Sequence, residues 1–176
     1  MTPTSATLTR PFDVDDLPEA GVEAAVDPTA DERAALAAAF GLDGIDSLAG
    51  RFLVVRRGRS VTVTGRVTAA VRQISVVSLE PFPATVDEAV TVKFVDDPRH
   101  DTGDGEDRRD QQAVLDAPDP IIDGRIDLGQ LTAEFLALGL DPYPRQPGET
   151  FSYAESEAGE ASPFAALKRL GQPQGE

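Results

Sequence analysis

The sequence predicts an α+β fold: an antiparallel β-sheet, strongly curved or barrel-like, with short flanking helices and a long acidic loop. Three observations carry this reading. Residues 61–71 alternate apolar and polar with period two, and residues 86–94 do so again. Two short segments show helical spacing behind capping residues. Residues 96–119 collect aspartates around two glycines and little that is apolar. The resulting organisation is a partly extended N-terminal segment over 1–28, one α+β domain over 29–170, and a tail over 171–176.

The first segment is rich in Thr, Asp and Pro. An edge strand around Phe12 and Val14 fits, kept short by Pro11 and Pro18. Thr29 with Glu32 three residues later makes a capping box. The alanines of 34–39 favour helix, Leu36 and Phe40 share a face, and Gly41 offers a left-handed stop.

A short apolar run over 52–55 then leads to Arg57-Gly58-Arg59, a turn. Val61, Val63, Val67, Ala69 and Val71 define the apolar face of the next strand, with Gly65 on that face as a bulge or bend. Apolar character continues through Val76, Val77 and Leu79, and Pro81 with Pro83 brackets a turn. Val86, Val90, Val92 and Phe94 form the next strand. Connections this short make the pairs antiparallel, because a parallel pair needs a crossover of a dozen or more residues.

The acidic loop cannot bury enough surface to offset its ordering entropy. After it, Ile121-Ile122 suggests a short strand. Asp127 caps a second helix whose stripe reads Leu128, Leu131, Phe135 and Leu138, with Gly139 as its end. Residues 141–148 hold three prolines and form a stiff connector. Ser162 and Pro163 open a last short helix presenting Phe164, Leu167 and Leu170.

Composition narrows function. The chain has 176 residues with 31 Asp+Glu against 16 Lys+Arg, a net charge of −15, no Cys and one His. No disulfide or Cys/His zinc site can form. A histidine-activated nucleophile would have to use His100, which sits in the polar loop without a shielded partner. The loop run Asp101-Thr102-Gly103-Asp104-Gly105-Glu106-Asp107 lacks the oxygen alternation and the late Glu of a calcium loop. Gly41-Leu42-Asp43-Gly44 lacks the ending of a phosphate loop. No apolar h-region opens the chain and no apolar run approaches ~20 residues, so a soluble cytoplasmic protein without a membrane segment is expected. No cofactor, metal or small-molecule substrate is expected.

The charge is uneven. Residues 51–95 carry a net +4 between flanks of −8 and −7. Arg51, Arg56, Arg57, Arg59, Arg66 and Arg72 supply most of it. Arg57 and Arg59 sit at the expected hairpin tip, and Arg66 and Arg72 share the polar face of the long strand. These arginines could fork onto phosphate, or could be a solvated face paired with the acidic flanks. The second reading is favoured, because surrounding carboxylates repel polynucleotide. Tyr143 and Phe164 are apolar anchors that either staple the tail to the sheet or meet a partner, with Arg145 beside Tyr143 as a further contact.

Four segments in order carry a resemblance. Leu79-Glu80-Pro81-Phe82 follows a strand containing Thr64-Gly65-Arg66-Val67. Ile126-Asp127-Leu128 opens a helix. Asp141-Pro142-Tyr143-Pro144-Arg145 with Pro147-Gly148 comes next, and Pro163-Phe164-Ala165-Ala166-Leu167 stands near the end. Over roughly residues 9–170 this order resembles the YceD family, the large ribosomal RNA subunit accumulation proteins, and its alphaproteobacterial branch in particular. The resemblance implies a bacterial cytoplasmic protein needed for normal accumulation of large-subunit ribosomal RNA. It implies no catalytic residues. Many relatives carry a Cys pair just before the Leu-Glu-Pro-Phe turn, where this chain has Ser75 and Ser78, so any shared function does not need thiols.

The expectation is a non-enzymatic factor in large-subunit biogenesis, acting as an acidic adaptor for a basic ribosomal or assembly protein. The alternative is direct binding of ribosomal RNA through residues 51–72. A carboxylate-based hydrolase ranks last, since its acids would lie in a poorly preorganised loop. The contact residues expected are Arg57, Arg59, Arg66, Arg72, Tyr143, Arg145 and Phe164.

Overall fold

Period-two alternation becomes three long antiparallel strands in the computed structural model, which describes residues 8–96 and 118–150. The elements are β1 (Pro11–Asp13), β2 (Val22–Val26), α1 (Ala30–Phe40), β3 (Gly44–Arg57), β4 (Ser60–Ile74), β5 (Pro81–Val95), β6 (Asp119–Pro120), β7 (Arg125–Asp127) and α2 (Leu128–Leu138). Five strands form one sheet in the order β2-β3-β4-β5-β6, and β1 pairs with β7 in a second. The α+β class holds. The all-antiparallel, barrel-like form does not. β6 runs parallel to β5, which the long connection between them permits, and the sheet stays open because its edge strands β2 and β6 do not meet. The acidic loop over 96–119 falls almost wholly, and the helix after Ser162 entirely, outside the described residues.

The core gathers on one face of the sheet. Val61, Val63, Val67 and Val71 of β4 are fully buried, joined by Phe52 and Val54 of β3 and by Val86 and Val90 of β5. Leu36 of α1 and Leu128, Leu131 and Leu136 of α2 belong to the same cluster. Each such side chain contributes about 1.5–3 kcal/mol relative to exposure. Outward residues on these strands include Arg51, Arg66, Thr68, Thr91 and Lys93.

Both helix starts follow from local chemistry. Thr29 Oγ1 accepts from Glu32 N while Glu32 Oε2 accepts from Thr29 N, and Gly41 closes α1 at φ 68°. Asp127 Oδ1 accepts from Gly129 N and Gln130 N, and also from Arg10 N at 2.8 Å, which ties the N-terminal strand to α2. The buried stripe of α2 is Leu128, Leu131, Thr132 and Leu136, with Phe135 half-buried. Leu138, expected on that stripe, is 73% exposed, because ten residues at 3.6 per turn carry it to the stripe's far edge. Thr132 is fully buried and donates to Leu128 O at 2.7 Å.

Other departures have physical causes. β3 starts eight residues before the expected run, and its alternation is broken by a register shift at Asp46. Gly65 is no bulge. It stays in register opposite Phe52, where a Cβ would strike the Arg51 carbonyl. Pro81 and Pro83 lie within β5, and the turn precedes them. Pro83 faces Arg72, whose carbonyl accepts from Asp43 N on the β3 side, so this pair needs no donor from proline. The strand expected at Ile121-Ile122 is instead a bridge from Ile122 to Arg125 between β6 and β7.

Candidate functional site

The turn from β4 to β5 is organised by one hydroxyl. Ser75 is fully buried. Its N–H donates to Glu80 O at 2.9 Å, and its Oγ accepts from Val77 N at 3.1 Å and Ser78 N at 3.3 Å. The Ser75 hydroxyl then donates to Glu149 Oε2 at 2.5 Å. Leu79 N donates to Ser75 O, which holds Leu79 at φ 61°. A left-handed conformation is costly for a residue with a Cβ.

The proline-rich connector is clamped against this turn. Val76 N donates to Pro144 O at 2.9 Å, and Gln73 Nε2 donates to Asp141 O at 3.1 Å across 68 positions of sequence. Tyr143 N donates to Asp141 Oδ1, and Gln146 N donates to Glu149 Oε2 at 3.0 Å. The Ser75 hydroxyl, then that of Ser78, then the Gln146 amide hold the Glu149 carboxyl below the usual carboxylate range. Prolines fix the connector's φ angles, so few contacts suffice to order it.

This corner presents apolar surface. Ile74 and Val76 are nearly half exposed, Leu79 is 76% exposed and Tyr143 72% exposed. Glu80, Asp141 and Glu149 surround them, with Arg145 exposed in the connector. Phe82, which follows in β5, is buried and anchors the turn.

The expected arginine contacts do not form one site. Arg57 and Arg59 stand at the β3–β4 tip, where Arg59 Nη2 donates to Asp96 O. Arg72 lies near the opposite end of β4, roughly 40 Å along the strand. Arg66 pairs with Asp87 at 2.5 Å on the outward face. Arg72 bridges Asp43 and Asp46, and its guanidinium is held above its ordinary pKa first by the bond to Asp43, then by the charge of Asp46. Arg51 pairs with Asp27 at 2.7 Å, and Arg56 with Asp15 at 3.2 Å. Tyr143 and Arg145 are brought beside the β4–β5 turn. Phe164 lies outside the described residues. Glu149 went unseen in the sequence. The only local signal was the Pro147-Gly148 turn before it, and nothing local points to its partner.

Among the described residues, no three His, Cys, Asp or Glu side chains gather as a metal-ligand set, and no helix is long and apolar enough to cross a membrane. The arrangement is suited to contact through apolar and acidic groups.

The family model described as Large ribosomal RNA subunit accumulation protein YceD matches residues 63–171. The chain belongs to the YceD family. No curated protein and no solved structure matches it. The matched span runs from within β4 past the connector, so it contains both halves of the Ser75 corner. β1, β2, α1 and β3 precede it, although β3 pairs with β4 from Ser60 to Arg72. The family's name points to a role in accumulation of large-subunit ribosomal RNA.

Proposed function

We propose that this YceD protein is a non-catalytic cytoplasmic factor in large ribosomal subunit biogenesis, an acidic adaptor for a basic ribosomal or assembly protein. The observation that carries the reading is the pairing of Arg51, Arg56, Arg66 and Arg72 with carboxylates of the same chain. Four of the seven basic side chains in residues 51–95 are thereby matched by carboxylates within the fold, and the whole chain keeps a net −15. A surplus of that size steers Lys/Arg-rich partners and repels phosphate backbones beyond contact range.

The test is recovery of partners on the tagged protein at low and at moderate salt. A Lys/Arg-rich ribosomal or assembly protein, lost as salt rises, is the expected result. Recovery of ribosomal RNA alone would overturn the reading in favour of direct RNA contact. In that case, changing Arg57, Arg59, Arg66 and Arg72 to Ser would weaken RNA binding and flatten its salt slope.

A further inference from the structure

We infer that the corner formed by Ile74, Val76, Leu79 and Tyr143 is the docking surface for a basic polypeptide segment that carries apolar anchors. The inference rests on the adaptor reading and names its site. Three independent features converge there.

The first is exposure. Leu79 and Tyr143 are among the most exposed large apolar residues described, and the backbone of Val76 is bonded to that of Pro144, so the two stretches present one patch. Clustered exposed apolar groups mark contact surfaces, whereas scattered ones do not.

The second is strain. Leu79 occupies a left-handed conformation that glycine would adopt freely. Neither folding nor solubility gains from a leucine at an exposed position with positive φ. Strain retained in this way belongs to sites whose side chain has work to do. The Ser75 bonds hold the turn that imposes it, so the side chain is presented rigidly and little ordering cost is left for binding.

The third is charge. Glu80, Asp141 and Glu149 outnumber Arg145 around the patch. An apolar centre with an acidic rim complements lysine or arginine flanking apolar anchors, and repels a phosphate backbone.

The experiment uses the full chain and total protein extracted from purified large ribosomal subunits and from their assembly precursors, separated into individual fractions, with naked large-subunit ribosomal RNA as a parallel arm. At least one basic fraction should bind the wild type. Leu79→Gly and Tyr143→Ser should each weaken that binding by about tenfold or more. Ile122→Ser, which removes an exposed apolar side chain roughly 45 Å away at the far end of β5, should leave it unchanged. Leu79→Gly removes strain, so its melting temperature should match or exceed the wild type, which separates lost docking from lost folding. If no fraction binds the wild type, the adaptor reading itself falls. If a fraction binds every variant alike, the adaptor reading stands and this docking surface is wrong. A photo-crosslinking residue at position 79 reads the occupant directly. Transfer to a basic protein supports the inference; transfer to the chain's own C-terminal residues, to a second copy or to RNA overturns it.

Discussion

Ser75 and Glu149, 74 positions apart in the chain, share a 2.5 Å hydrogen bond that locks the proline-rich connector onto the β4–β5 turn. The serine oxygen at the centre of this lock also satisfies two turn amides. One buried atom therefore serves both a local turn and a long-range tether.

Ser75→Ala removes that atom and leaves Val77 N and Ser78 N without their acceptor. A loss of about 1–3 kcal/mol is expected in urea denaturation. Amide exchange at Val77 and Ser78 should accelerate more than exchange in mid-β4. Equal acceleration throughout the sheet would instead mean that the turn and the sheet open together.

The acid limb of stability should depend on Glu149 and Glu32. Glu149 is held low mainly by the Ser75 hydroxyl, and Glu32 mainly by the Thr29 amide and then Arg10. A native pKa below the unfolded value means the ionised form is favoured on folding. The contribution is complete above about pH 5 and is lost as the pH falls through the lowered native pKa. Urea midpoints measured from pH 6 down to pH 3 should fall less steeply in Glu149→Gln and Glu32→Gln than in the wild type.

Gly50 sets the distance between β3 and α2. A Cβ there would come within 2.8 Å of both the Phe52 ring and Thr132 Oγ1. Gly50→Ala should cost about 1–3 kcal/mol by overpacking, read as a lower urea midpoint with an unchanged slope.

Leu79 gives a paired prediction about strain. Leu79→Gly relieves roughly 1–2 kcal/mol of left-handed strain and gives back part of it as unfolded-state entropy, so stability should stay level or rise by up to about 1 kcal/mol. Leu79→Val places a β-branched residue at positive φ and should destabilise. Calorimetric midpoints that ranked Val above Gly would show that the turn relaxes out of the left-handed conformation.

Much of the fold was legible because its signals are local. The Thr29–Glu32 box, the Gly41 stop, the Asp127 cap and the alternation of β4 each depend on residues within one element. What escaped depends on neighbours. β2 runs Val-Glu-Ala-Ala-Val and has little intrinsic strand preference, so its pairing with β3 is what makes it a strand. The first half of β3 was hidden because the shift at Asp46 breaks the phase that alternation relies on. Pro81 and Pro83 signalled a turn by composition, yet Arg72 turns its backbone toward β3 and tolerates Pro83 opposite. The site divided in the same way. Tyr143 and Arg145 were visible as an aromatic and a cation in a stiff connector. The arginines were visible as a cluster, but not the carboxylates that meet them across strands. Glu149 looked like one more acid until Ser75 was placed beside it.

The pairing of β1 with β7 sets a timetable for synthesis. Arg10 is bonded to Asp127 and Leu128, so the first strand has no partner until nearly the whole domain has been made. At usual elongation rates that wait lasts roughly 6 to 23 s, while the hairpins of β3, β4 and β5 can already form beyond the exit tunnel. β1 therefore waits until β7 is made, and a nascent chain stalled just short of residue 125 would present strands β2 to β5 with β1 still unpaired.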